Sequence, residues 1–575
     1  MFGANSRERM GGTNRSRGPE HSRGSSREAS APTSMSRRER RLSMRALARG
    51  ICLAVGIGTL SIAASGCRVS ESDVKRWETT QRGPYKLVAV ITHDKYPIEL
   101  RTEAAMSLVR MPARGGVRQG IKFLIEKYKD EDGVDRDGAL VQLPEETRRQ
   151  IVDRMVPLLV EQLKPPPPAR TPEGRLPPDL TIPYKDAGFA MLIHEPPLVS
   201  NEQTKATLKD ALMHWAQTGF EDRVENGAQQ YGLEQMMRTL GSASVKILPG
   251  LVNENTSRLD RIASLIKDIG DEPTKLELSK ALVVLADKYN SKDWLEAQTK
   301  VVKEHNAKNN VKADDTQVAA QVDKIQERRL TEEVFPAMKK IAGRSSVEWL
   351  IKYSGDAGKP AERRKLALAA LEGNLDKNNK DDLERIFAIA KNNDSPDVVR
   401  DGAFRRMGEF PKEWFVPKLY TLGDPPKWKV RWVAFELILT TMNLKQVPEF
   451  MGHLPKGAAT KMGMTEPLSY AAVIREKMEG EPKAKLDAIL PYLNSKDLGP
   501  KLVALSYFWT GKKADAHYVQ PHAEDSALLP KCEKEDDCSW QCDVPTAGNP
   551  KETEPKELKT VGDFVKFCLV PNMDK

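Results

Sequence analysis

Cysteine is nearly absent from the body of this 575-residue chain: Cys52 and Cys67 stand near its start, Cys532, Cys538, Cys542 and Cys568 near its end, and none between. The long middle therefore holds neither a disulfide framework nor a cysteine metal site. Aromatics are scarce at 6% while charged residues reach 30%, a balance that suits helices with solvated faces and argues against a β-sandwich. Basic charge is missing from the body as an excess. The first 50 residues, with 12 Arg and 4 Glu but no Lys or Asp, carry +8 of the net +9. The remainder is close to neutral, which removes the main electrostatic argument for nucleic acid. The chain also lacks Gly-x-Ser-x-Gly, His-Glu-x-x-His, a phosphate-binding glycine loop and a dinucleotide fingerprint. Histidines such as His93, His194, His214, His305 and His453 are scattered. No catalytic site, cofactor or metal is expected from these absences.

What the chain does have is one short helical pattern, repeated. Asp394-Ser-Pro396 leads into Arg400, Ala403 and Met407, and Asp424-Pro-Pro426 leads into Arg431, Ala434 and Ile438. With Arg, Ala and a large apolar residue at i, i+3 and i+7, the last two share one helical face. The upstream Asp and Pro suit a turn and a helix start. Arg364, Ala367 and Leu371 fit the pattern 36 residues before the Arg400 copy, and the Arg431 copy follows 31 residues after it. Asp94, Pro97, Arg101, Ala104 and Leu108 form another copy, and Lys501, Ala504 and Phe508 a looser one. One such match is common on any amphipathic helix. Several at near-regular spacing imply units that bury their apolar faces on one another.

This pattern resembles the second helix of a HEAT-type repeat. The resemblance implies an all-α fold: an α-solenoid of HEAT-like helix pairs, stacked as a right-handed superhelix, whose concave face binds protein partners. Some HEAT-like proteins are lyases acting on bilin chromophores. A lyase or hydrolase with its site between helices is therefore the alternative to a non-enzymatic scaffold.

Residues 1–34 are rich in Gly, Ser, Arg and Asn and are expected to be disordered. Met35 is the expected start, because it directly precedes the basic run Arg37-Arg38-Glu-Arg40-Arg41. An uncharged apolar run from Gly50 to Ala64 follows, and then Ser65-Gly66-Cys67, so that residues 35–66 have the layout of a secretory signal. Ala64-Ser65-Gly66-Cys67 resembles a bacterial lipobox, with Ala where Leu is usual. The resemblance implies that Cys67 is diacylated and becomes the mature N-terminus. The protein would then sit on the periplasmic side of the cell envelope, held by lipid, the outer membrane being favoured. The alternative, an uncleaved transmembrane anchor, meets a run shorter than the roughly 20 residues a span needs. Ser36-Arg37-Arg38 is similar to a twin-arginine signal, but Arg40 and Arg41 stand where apolar residues belong.

Beyond Cys67 the expected order is a tether (67–84), a first helical section (85–164), a Pro-rich linker (165–183), more helices (184–305), a polar helix or hinge (306–330) and a HEAT-like section (331–513). In the first section Ile151, Met155, Leu158, Leu159 and Leu163 make one apolar stripe, and in the next Asn201 and Asp260 are candidate caps. Residues 514–575 are less regular. Four clustered cysteines in an exported chain imply two disulfides among Cys532, Cys538, Cys542 and Cys568, with three pairings open. The rival is a zinc site using Cys538-x3-Cys542 with His517 and His522, for which no second cysteine pair exists. A redox pair would need Cys-x-x-Cys, which is absent. Trp414, Phe415, Trp428 and Trp432 are the partner-binding candidates, because an aromatic-rich helix connection leaves some rings outside its core.

Overall fold

A computed structural model describes residues 69–113, 117–226, 229–424, 427–530, 539–546 and 549–573. Cys67 and the expected signal region before it, Cys532 and Cys538, and Pro425 and Pro426 lie outside these residues. The described chain is mostly helical, as the composition implied. Its only ladders among the described residues are two antiparallel hairpins: β1 (Tyr128–Lys129) with β2 (Asp135–Arg136), and β3 (Gln541–Thr546) with β4 (Asn549–Glu557).

Helices of eight residues or more are numbered here in chain order. The first six are α1 (Gly83–Thr92), α2 (Ile98–Arg110), α3 (Glu145–Leu163), α4 (Ile182–Ile193), α5 (Glu202–Gln217) and α6 (Leu233–Leu240). The expected tether is itself partly helical: Glu71–Trp77 forms because Ser70 accepts from the Asp73 N–H while the Asp73 carboxylate accepts from the Ser70 N–H. This reciprocal cap satisfies two of the donors a helix start leaves open. Asn201 caps α5 as expected, accepting from the N–H groups of Gln203 and Thr204. The α3 stripe is buried at Ile151, Met155, Leu159 and Leu163, but Leu158 is exposed. The Pro-rich segment is free of helix up to Ile182, yet it is not a loose spacer. Arg223 donates to the Pro165 carbonyl (2.9 Å), and Arg170 pairs with Asp222 and Glu225 (2.6 and 2.8 Å).

Next come α7 (Leu259–Ile269), α8 (Glu272–Tyr289), α9 (Lys292–Lys308) and α10 (Asp315–Arg328). Leu259 starts α7, so Asp260 lies inside its first turn and the cap position falls to Arg258. α10 continues through a π-helical turn, Arg329–Val334, into the short helix Phe335–Ile341. α9 and α10 run out and back as a hairpin with a small core of its own: Val302, Val318 and Val322, flanked by Leu295, Ala313 and Ile325. Residues 306–330 therefore hold the tip and return leg of this arm, the expected polar helix being α10. The turn comes where Asn310 takes a left-handed conformation (φ 56°), which asparagine tolerates better than most residues. The arm is braced at its base. Gln326 donates to the Tyr289 carbonyl (2.7 Å), and the buried Arg363 donates to Gln326 (2.7 Å).

The helices α11 (Arg344–Gly355), α12 (Ala361–Ala370), α13 (Lys380–Lys391), α14 (Asp397–Met407), α15 (Lys412–Tyr420) and α16 (Trp428–Thr441) hold the three central copies of the pattern. They pack as pairs: α11 on α12, α13 on α14, α15 on α16. First helices also touch first helices (α8, α11, α13, α15 in turn), and second helices touch second helices (Phe335–Ile341, α12, α14, α16). α8 and α11 meet directly at two fully buried serines, where the Ser346 N–H donates to Ser279 Oγ at 3.0 Å.

The repeated arginine has a structural role that the spacing alone did not disclose. On an ordinary amphipathic helix it would lie in solvent, but Arg101, Arg364, Arg400 and Arg431 are all buried. Arg101 Nε donates to the Ile91 carbonyl (2.8 Å) and Arg364 Nε to the Ser354 carbonyl (2.7 Å), each in the last turn of the helix before. Arg400 donates to the Ser395 carbonyl (2.9 Å) and Arg431 to the Gly423 carbonyl (3.3 Å). The last carbonyls of a helix have no partner within it and carry partial negative charge, so the guanidinium of Arg101 or Arg364 both satisfies and neutralises them, whereas Arg400 and Arg431 satisfy carbonyls of the loop that joins their helix pair. The looser copy differs here: Lys501 Nζ pairs with Asp525 at 2.8 Å.

The alanines Ala104, Ala367, Ala403 and Ala434 are wholly buried. Ala403→Leu is expected to overpack the buried side of α14 and to destabilise by about 1–3 kcal/mol. Hydrogen exchange should show faster exchange in α12 and α16 as well as in α14. An effect confined to α14 would mean that these helices do not share their stability.

The chain ends with α17 (Thr465–Ala472), α18 (Pro482–Ile489), α19 (Leu498–Ser506), the β3–β4 hairpin and the helical stretch Val561–Asn572. Cys542 in β3 is joined to Cys568, the one disulfide among the described residues. The buried Trp540 donates to the Met462 carbonyl (2.8 Å), and the Trp509 and Phe564 rings stack with centroids 6.2 Å apart. This end is a docked element rather than a tail.

Candidate functional site

The first helices leave a cleft of about 760 Å³ open across α8, α11 and α13. Its floor is apolar, from Val283 on α8, Trp349 and Gly355 on α11, and Ala388 and Ile389 on α13. Trp349 Nε1 donates to the Asp287 carboxylate at 2.7 Å, which fixes the indole across the α8–α11 contact. Its ring stacks on Tyr353 with centroids 4.9 Å apart, and burial pushes the Tyr353 phenol up from its ordinary value. Glu348, Lys352 and Arg385 form the rim. Glu348 is held by Arg344 Nε at 2.8 Å, and Arg344 also grips the buried Asp382 at the start of α13. Lys352 and Arg385 are exposed and have no ion-pair partner among the described residues. Beside the cleft Val284 is 68% exposed, the most exposed residue of α8 to be apolar. An apolar floor with a charged rim is the chemistry of a surface that takes up apolar side chains and orients them by their polar neighbours.

The aromatic candidates separate. Phe415 (1% exposed) and Trp428 (5%) belong to the core. They were grouped with the others on proximity in sequence, but they point inward and present no ring to a partner. Trp432 is half-buried, stacked on Trp428 at 5.9 Å. Trp414 is half-buried on α15, with Lys380 Nζ 4.7 Å from its ring centre, and so adjoins the first-helix face that carries the cleft. Trp349 and Asp287 were not singled out by sequence. The available signal was α8, where Leu276, Val283 and Val284 fall off the buried stripe Leu278, Leu282 and Leu285.

Other chemistry-bearing groups are placed structurally. Lys185 is a wholly buried amine whose pKa burial pushes down. It is enclosed by Asp186 (2.6 Å), the Tyr231 carbonyl and the Trp215 ring, with no exposed surface for a substrate to meet. Arg431 forms a two-pronged pair with Glu466 (2.9 and 2.8 Å), with the Tyr470 hydroxyl 3.2 Å from the same carboxylate. Cys542, spent in its disulfide, is removed from the zinc alternative, and among the described residues no three His, Cys, Asp or Glu side chains come together as ligands would. No protein-family model matches the chain, and no curated protein matches it at a significant level.

Proposed function

We propose that this protein is a lipid-anchored lipoprotein of the bacterial envelope, on its periplasmic side, whose HEAT-like helix pairs form an α-solenoid that serves as a binding scaffold for a protein partner. The observation that carries this reading is the open, apolar-floored cleft spanning three consecutive first helices, with Trp414 farther along the same face. A cleft shared by successive helix pairs suits an extended partner better than a small substrate. The buried arginines and alanines support the repeat reading, because each arginine donates to a backbone carbonyl just upstream of or within its own helix pair and each alanine is wholly buried there. The anchor reading rests on the lipobox-like Ala64-Ser65-Gly66-Cys67. No described helix is long and apolar enough to cross a membrane.

A photo-cross-linking residue at the exposed Ala388 should trap a protein in the membrane fraction, whereas the same residue at Lys365, exposed on α12, should not. Cys67→Ala should remove both chain and adduct from the membranes or leave unprocessed precursor. Equal adducts at the two positions, or none, would sink the scaffold. A normally processed, membrane-bound Cys67→Ala chain would sink the anchor.

A further inference from the structure

A second cleft, of about 830 Å³, lies far from the first in sequence, between the start of α1, the short helix Gln119–Leu124 and the β1–β2 hairpin. Its size falls in the range of about 300–1,000 Å³ typical of small-ligand sites. Three aromatics build its floor. Phe123 meets Tyr85 edge-on with centroids 5.0 Å apart and Tyr128 at 4.4 Å, and Tyr85 Oη donates to the Lys129 carbonyl at 3.3 Å. Phe123 and Tyr128 are buried, whereas Tyr85 is half-buried and presents its ring.

The helix that carries Lys122 and Phe123 is seated by close backbone approach. A Cβ at Gly120 would lie 1.8 Å from the Leu108 carbonyl oxygen, and one at Gly138 would lie 2.4 Å from the backbone of Ile125. Only glycine permits either contact, so the floor is set before any ligand arrives.

The rim is polar and mainly cationic, with Arg82, Lys122 and Lys129 against Glu131. Arg82 pairs with Glu131 at 3.4 Å and Lys129 with Asp135 at 3.7 Å, but all four side chains are more than half exposed. Such pairs are weak and exchange readily for another anion. Lys122 has no carboxylate partner among the described residues. Gln81 and Gln119 also reach the cleft, and neither side-chain amide has a hydrogen-bond partner among the described residues.

We propose that this cleft binds an acidic oligosaccharide, a sugar chain bearing carboxylates. The part of the half-buried Tyr85 ring that meets the cleft takes the C–H face of a sugar ring. Two free amides, each both donor and acceptor, match hydroxyls that are likewise both. The three cations receive the acidic substituents through charge-assisted bonds.

Calorimetry on the mature chain with tetragalacturonic acid tests this. Saturable binding is expected, weakening by well over tenfold when the same oligomer is methyl-esterified, since each charge-assisted contact is worth roughly tenfold and esterification removes them all. Lys122→Gln, an exposed and unpaired position that leaves folding untouched, should cost about tenfold, the loss of one such contact. Gln119→Ala should weaken the acid and the ester alike, with an unchanged far-ultraviolet spectrum for both variants. Absence of saturable heat, equal affinity for the ester, or a silent Lys122→Gln would overturn the proposal. So would tighter binding of ATP, which would make the site a nucleotide site, or of phosphatidylglycerol vesicles, which would make it a membrane contact.

Discussion

Glu466→Gln is expected to lower the stability of the protein by about 3–5 kcal/mol, the usual cost of removing one partner of a buried ion pair. Arg431 and Glu466 are both wholly buried, one on α16 and the other on α17, and their two hydrogen bonds are the charged link between these helices. Burial pushes the Glu466 carboxyl up, and Arg431 pulls it back. The amide keeps the shape of the carboxylate but leaves a guanidinium uncompensated in a medium that solvates it poorly. The double substitution Arg431→Met with Glu466→Leu removes both charges and should recover most of the loss. Urea titrations followed by tryptophan fluorescence measure all three variants. A double variant as unstable as the single would mean that the pair is not what holds α16 to α17.

Reduction of the Cys542–Cys568 disulfide should cost the C-terminal region about 3–4 kcal/mol. The bridge spans a sequence separation of 26, and closing a loop of that size restricts the unfolded chain by about this much. Hydrogen exchange should then quicken across β3, β4 and Val561–Asn572, while α11 to α16, which draw on contacts with each other, keep their protection. If reductant left the hairpin unchanged, its stability would have to come from Trp540 and its carbonyl partner instead.

The helical character of the chain was legible because its patterns are local. Asp, Pro and Asn mark the helix starts, and the Arg-x-x-Ala spacing repeats within reach of a single helix. The destination of each arginine was not legible, since it donates to a backbone carbonyl, on the preceding helix for Arg101 and Arg364 and in the connecting loop for Arg400 and Arg431, and backbone carries no sequence signal. The arm was legible only in part, for a related reason. The polarity of residues 306–330 pointed to a solvated helix, which α10 is, but not to the turn before it, where Asn310 is left-handed. Of the cysteines, clustering pointed to a disulfide, and the Cys542–Cys568 pairing needed the fold. Among the aromatics, nearness along the chain could not separate the inward Phe415 and Trp428 from the half-exposed Trp414. Trp349 drew no notice at all, because its meaning depends on Asp287, which lies 62 residues away.

The arm between α8 and Phe335–Ile341 leaves and rejoins the chain at one place, while α8 and α11 touch each other without it through Ser279 and Ser346. Nothing in the succession of helix pairs therefore depends on its length. Such a segment can drift, lengthen or be exchanged for another hairpin under constraints of its own, as a branch grows without altering the trunk. Variation between descendants of this chain should accumulate there first, and a reporter or affinity handle spliced into its tip should be tolerated where the same insertion at α12 or α14 would not.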